Sequence, residues 1–107
     1  MGLGYDLNHV LGNGEEKSGL KHAAKIKDPS SSRVLNLWTN SLRMQFYTSN
    51  YVNGVVGKRG VVYNKHAGLC LEIQGFPNAI NQPNLPSVVV QPGNKYQHPM
   101  LFEFSVE

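Results

Sequence analysis

An all-β fold, a sandwich of antiparallel strands, is the class this sequence predicts. Three observations predict it: short runs of β-favouring residues set between turn signals, eleven Gly and six Pro within 107 residues, and no segment with a helical apolar period. Apolar residues at 40 % against 16 % charged argue against a disordered chain. At this length residues 1–107 read as a single domain with a modest core.

The elements follow from local chemistry. Residues 20–28 (LKHAAKIKD) form a strand that stops at the turn cluster Asp28-Pro29-Ser30-Ser31-Ser32. Residues 33–39 (RVLNLWT) follow at once, so the two runs read as an antiparallel hairpin. Residues 44–50 (MQFYTSN) make a third strand. Asn53-Gly54 and Gly57-Lys58-Arg59-Gly60 mark a loop, with Val61-Val62-Tyr63 a short extended piece. Residues 69–74 (LCLEIQ) are the fourth main strand. Three prolines and three asparagines in residues 75–86 exclude regular pairing there and predict an ordered, irregular loop. Residues 87–90 and 96–106 finish the chain, split by the turn Gln91-Pro92-Gly93-Asn94. In the last strand Phe102, Phe104 and Val106 alternate with Glu103, Ser105 and Glu107, which predicts one buried and one wet face. The opening Gly2-Leu3-Gly4-Tyr5-Asp6 is loop-like, and no strand precedes it to cover the hairpin. An uncovered edge or face, self-association through exposed strands and missing upstream sequence are the corresponding expectations.

Charge and cysteine content narrow the setting. The net charge of +3 comes from scattered Lys and Arg, so no nucleic-acid partner is expected. No apolar run reaches the length of a membrane span, and the first residues carry neither a basic n-region nor an apolar h-region. Cys70 is the single cysteine, which rules out an intrachain disulfide and makes a cytoplasmic location the expectation.

Few residues stand out for chemistry. Alternation puts Leu69, Leu71 and Ile73 on one face of their strand and Cys70, Glu72 and Gln74 on the other. Glu72 is then either a solvent-facing strand residue or a general base facing a wet cavity, with Gln74 near enough to position it. Gln45 and Tyr47 share a strand face, which is either ordinary sheet surface or a sugar-binding surface of amide and ring. Asp6, after Gly4-Tyr5 and before Asn8, reads by itself as a turn residue. His9, His22, His66 and His98 show no metal-ligand spacing with one another or with Cys70, and His66 reads as structural. Gly57-Lys58-Arg59-Gly60 lacks the glycine spacing and following helix of a phosphate loop.

From Gly4 to Val106 the order of short motifs resembles the last part of the galactose mutarotase (aldose 1-epimerase) family. The family's Gly-aromatic-Asp-His-Asn stands here as Gly4-Tyr5-Asp6-Leu7-Asn8, its Gly-Arg-Val strand as Ser32-Arg33-Val34, and its Gln-Phe-Tyr-Thr as Gln45-Phe46-Tyr47-Thr48. Val-Tyr-x-Lys-His is matched from Val62 to His66, and Cys-Leu-Glu-Thr-Gln by Cys70-Leu71-Glu72-Ile73-Gln74. Asn-Gln-Pro-Asn-x-Pro matches residues 81–86, and Pro92-Gly93 precedes the last strand. The run Tyr47-Thr48-Ser49-Asn50, with Asn53-Gly54 after it, gives the resemblance a plant-like cast.

The resemblance implies a β-supersandwich, of which this chain is a partial domain, and interconversion of the α and β anomers of aldoses such as galactose and glucose. It implies Glu72 as catalytic base, Asp6 and Gln45 as ligands of sugar hydroxyls, and no metal or organic cofactor. The family's acid His, a second active-site His and a sugar-binding Arg precede the Gly-Tyr-Asp motif, where this chain begins. Leu7 replaces a His, His9 an aromatic, Leu42-Arg43 a Pro-Gly, and Ile73 a Thr. These departures imply a truncated copy with weak or no activity alone. The rival expectation is a non-catalytic sandwich that binds a carbohydrate or a protein.

Overall fold

Turn chemistry and strand alternation act together in the computed structural model, which describes residues 3–107. Its strands are β1 (Asp6–Val10), β2 (Glu16–Lys17), β3 (Leu20–Lys27), β4 (Arg33–Thr39), β5 (Arg43–Tyr47), β6 (Val55–Val56), β7 (Val62–Tyr63), β8 (Cys70–Gln74) and β9 (Met100–Val106). Single 3-10 turns at Lys58–Gly60 and Ala79–Asn81 are the helical elements among the described residues.

The predicted hairpin is present as β3 and β4, in register from Lys27↔Val34 to Lys21↔Thr39, with a bulge between His22 and Ala24. Asp28 makes its turn. The carboxylate accepts from the Ser30 backbone N–H at 3.1 Å, from the Ser30 hydroxyl at 2.8 Å and from the Ser31 hydroxyl at 2.6 Å. These donors, the Ser31 hydroxyl foremost, hold the Asp28 carboxyl down from its ordinary 3.8 to about 2.

All strands pair antiparallel, in sheets of order β2-β3-β4-β9 and β1-β5-β8 with a small β6-β7 ribbon. The all-β sandwich class is therefore present. Leu37 and Thr39, at the middle and end of the central strand β4, are fully buried. Thr39 earns its buried place by donating its hydroxyl to the Pro99 carbonyl at 3.2 Å while accepting the Ser41 N–H at 3.1 Å. Val34, Trp38, Met44 and Ala79 complete the buried apolar set. Between the two sheets lies a cavity of about 560 Å³, walled by His9, Met44, Phe46 and Leu71 on one side and by Ala24 and Ile26 on the other.

Several expectations change. The N-terminal stretch is not all loop: Asp6 opens a strand that pairs with β5, because Tyr5, Thr48 and Asn50 lock the two chain segments together as described below. Residues 87–90 carry no strand, and β9 begins at Met100 rather than at residue 96. The alternation in β9 is real, but the face carrying Phe102, Phe104 and Val106 is exposed, Phe104 and Val106 both at 77 %. β9 is an edge strand, so its apolar side chains have a neighbour on one flank only.

Candidate functional site

Gly4 is where the site begins. Its φ of +123° belongs to glycine, and a Cβ there would meet Asn50 Oδ1 at 2.1 Å. The space is used by a knot of hydrogen bonds. The Tyr5 N–H donates to Thr48 Oγ1 at 2.8 Å, and the Tyr5 carbonyl accepts the Asn50 amide at 2.9 Å and the Thr48 N–H at 3.0 Å. The Thr48 hydroxyl donates to Asn50 Oδ1 at 2.8 Å. His66 adds Nδ1–H to the Thr48 carbonyl at 2.9 Å, a structural role, as the sequence suggests. This knot zips the start of β1 onto the end of β5 and sets the register Asp6↔Tyr47.

Register then decides which side chains meet. Residues directly opposite in an antiparallel pair share a face, as do residues two apart on one strand. Asn8↔Gln45 and Gln45↔Glu72 therefore form a polar row across all three strands of the β1-β5-β8 sheet. Asp6 lies two residues from Asn8 on that face, and the Gln45 amide donates to Asp6 Oδ1 at 2.8 Å. Asp6, Gln45 and Glu72, read from three separate motifs, thus stand together. Met44, Phe46, Leu71 and Ile73 occupy the opposite face, buried or half-buried, as strand alternation requires.

The face is open. Glu72 and Asp6 are exposed and Gln45 is half-buried. The large inter-sheet cavity lies on the other side of the sheet and is not walled by these three residues. The ion pairs among the described residues, Lys17 with Glu103 and Lys25 with Glu107, leave Glu72 out. Chemically, a carboxylate free to accept a proton stands beside an amide–carboxylate pair that can both donate to and accept from hydroxyls.

Each histidine is occupied elsewhere. His9 points into the inter-sheet cavity, and His22 bonds Asn36 Oδ1 at 2.9 Å and packs on Trp38. His66 ties down Thr48, and His98 lies by the Ser41 hydroxyl and stacks on Tyr96. Among the described residues no histidine shares the face of Glu72.

Two residues on that face escape a reading by sequence. Asn8 sits in register with Gln45, and both polar atoms of its amide are buried without a partner. Arg43, seen in the sequence only as a departure in a loop, is the first residue of β5. It stands opposite Gln74, with its guanidinium carbon 4.0 Å from the centre of the Phe76 ring. Strand phase could have placed both on this face had β1 and the start of β5 been recognised as strands.

The aldose 1-epimerase family model matches residues 2–103. Galactose mutarotase of Homo sapiens is 43 % identical over 96 % of the chain, and that of Mus musculus 42 % over the same share. Aldose 1-epimerase of Escherichia coli strain K12 is 27 % identical over 97 % of the chain. The chain spans 30 % of the length of each of these relatives.

Proposed function

Because the chain belongs to the aldose 1-epimerase family, we propose that the face carrying Asp6, Gln45 and Glu72 is the part of a mutarotase site that grips sugar hydroxyls and holds the base. Glu72 takes the proton from the anomeric hydroxyl of an aldohexose such as galactose or glucose. The electrons of that O–H bond form the C1 carbonyl as the bond from C1 to the ring oxygen breaks, and the ring oxygen takes a proton from an acid. Rotation about C1–C2 and reclosure, with the proton transfers reversed, yield the other anomer. Asp6 accepts from a sugar hydroxyl. Gln45 spends one amide hydrogen on Asp6 and offers its other hydrogen and its carbonyl to the sugar. The step calls for no cofactor. A cytoplasmic setting is proposed from Cys70, the single cysteine, which forms no intrachain disulfide.

The observation that carries the reading is the row in which Gln45 stands in register with Glu72 and donates to Asp6 at 2.8 Å. With no histidine facing Glu72 among the described residues, the chain on its own is proposed to turn over sugar weakly. Titrating galactose into labelled protein should shift the Gln45 side-chain amide and the Glu72 backbone signals saturably in nuclear magnetic resonance. Absence of any saturable change at these residues overturns the site. That no histidine among the described residues shares the face of Glu72 also favours a second reading, a sugar-binding sandwich without catalysis. Saturable binding with no acceleration of mutarotation in polarimetry would select it.

A further inference from the structure

We propose that Asn50 and His66 are positioning residues of the sugar site: Asn50 places Asp6 through Tyr5, and His66 holds Glu72 opposite Gln45 through the end of β5. The inference rests on the reading of that face as a sugar site and adds the residues that set its geometry.

One junction serves all three strands of the β1-β5-β8 sheet. Tyr5 immediately precedes β1, Thr48 to Asn50 follow the last residue of β5, and His66 lies four residues before β8. Asn50 is buried, and both ends of its amide are in use. Its Oδ1 accepts the Thr48 hydroxyl at 2.8 Å, and its NH2 group donates to the Tyr5 carbonyl at 2.9 Å. The Thr48 N–H donates to the same carbonyl at 3.0 Å, and the Tyr5 N–H donates to Thr48 Oγ1 at 2.8 Å. Tyr5 is therefore held through both of its backbone groups. The next residue is Asp6, whose carboxylate meets the Gln45 amide.

His66 works on the approach to β8. Its backbone N–H donates to the Ser49 carbonyl at 3.2 Å, and its ring Nδ1–H donates to the Thr48 carbonyl at 2.9 Å. Two bonds to successive carbonyls admit one register between the lead into β8 and the end of β5. From that register follow the pairs Tyr47↔Cys70 and Gln45↔Glu72. A slip of one residue would turn Glu72 to the face of Met44 and Phe46, away from Asp6.

The backbone geometry points the same way. Ser49 and His66, joined by a hydrogen bond, have φ of +52° and +64°, the left-handed region that residues other than glycine seldom occupy. Such conformations persist where the surroundings dictate them, and they gather at functional sites. Here they stand where β5 ends and the chain turns into β8, at the head of the sheet that carries Asp6, Gln45 and Glu72.

Variants of the whole chain separate positioning from support of the fold. His66→Gly keeps the left-handed backbone without strain but removes the ring donor. His66→Asn keeps both, since asparagine tolerates that conformation and its amide can donate from the place of Nδ1. Galactose affinity, titrated by nuclear magnetic resonance on folded protein, should fall about three- to tenfold in His66→Gly, the scale of one hydrogen bond. In His66→Asn it should return to within about twofold of the unaltered chain. Asn50→Ala should weaken binding by a similar factor, but by less than about twofold in an Asp6→Ala background, because it acts through Asp6. Leu37→Ala, in the core of the other sheet, should destabilise the chain yet leave the affinity of folded molecules unchanged. Signals that need no sugar test the same geometry. Nuclear Overhauser contacts between Gln45 and Glu72 should weaken in His66→Gly while those between β3 and β4 persist. The Gln45 side-chain amide in Asn50→Ala should shift towards its position in Asp6→Ala. If the unaltered chain binds no galactose, the sugar-site reading fails, and these signals alone judge the two positioning roles. Unchanged affinity and contacts in His66→Gly, no rescue by His66→Asn, or a full Asn50→Ala loss in the Asp6→Ala background overturns the proposal. So does an equal loss of affinity in Leu37→Ala. Should His66→Gly fail to fold, the cycle of Asn50→Ala with Asp6→Ala decides.

Discussion

Gln45 donates its side-chain amide to Asp6 Oδ1 at 2.8 Å across 39 residues of sequence. That bond joins β1 to β5 through side chains as well as through the backbone, and it orients the one acid of the polar face that has a fixed partner. Asp6→Ala should therefore weaken galactose binding roughly five- to tenfold, on the order of 1 kcal/mol, less than the usual ~1.5–3 kcal/mol for a hydrogen bond to a charged group because the carboxylate is exposed. Titration monitored by nuclear magnetic resonance measures it. An unchanged affinity would remove Asp6 from the site.

Glu72→Gln keeps the shape and hydrogen-bonding capacity of the side chain but cannot take a proton. Whatever mutarotation the chain shows should fall by ~10²–10⁴-fold in polarimetry, the usual span for loss of a general base, while sugar binding stays within about threefold. Equal loss of binding and rate would make Glu72 a ligand and not a base.

Gly4→Ala should unfold the knot that aligns β1. The positive φ strains any side chain, and the added methyl would sit 2.1 Å from Asn50 Oδ1. A destabilisation of about 2–3 kcal/mol is expected in urea melts, with loss of the Tyr5, Thr48 and Asn50 hydrogen bonds. Gly19→Ala is a control of backbone strain alone, since its φ is also positive but no atom crowds the new methyl.

Asp28 should titrate near pH 2 in the folded chain. Its folded pKa lies below the ordinary 3.8, so its contribution to stability is complete above pH ~4 and is lost as pH falls through about 2. Ser31→Ala removes the largest cause and should raise the midpoint, read from the Asp28 carboxyl carbon. A midpoint unmoved by Ser31→Ala would assign the shift to another group.

Leu37→Ala probes the core of β4. The residue is fully buried between β3 and β9, so truncation should cost about 2–5 kcal/mol, measured by denaturant unfolding. A loss below ~1 kcal/mol would mean that the site collapses around the gap.

Local chemistry decided much of this protein before any folding. Pro29 and the serines after Asp28 dictate the turn between β3 and β4, and the glycines and prolines bracket most other strands. Period-two alternation assigned Gln45 and Tyr47, and Glu72 and Gln74, to their strand faces, because a strand leaves its side chains no other choice. The ordered motifs from Gly4 to Val106 pointed to the family, since the residues of such motifs stand in the sequence itself. Tertiary structure decided the rest. Asp6 reads as a turn residue until Asn50 and Thr48, over forty residues away, capture Tyr5 and make β1 a strand. That Gln45 lies opposite Glu72 is a matter of inter-strand register, which no single strand's pattern contains. The fate of Phe104 is the clearest case. Alternation marks it for burial, but burial needs a neighbour, and among the described residues β9 lies at the sheet edge with β4 alone beside it. An amphipathic pattern states which face of a strand is apolar, and only the arrangement of the other strands determines whether anything covers it.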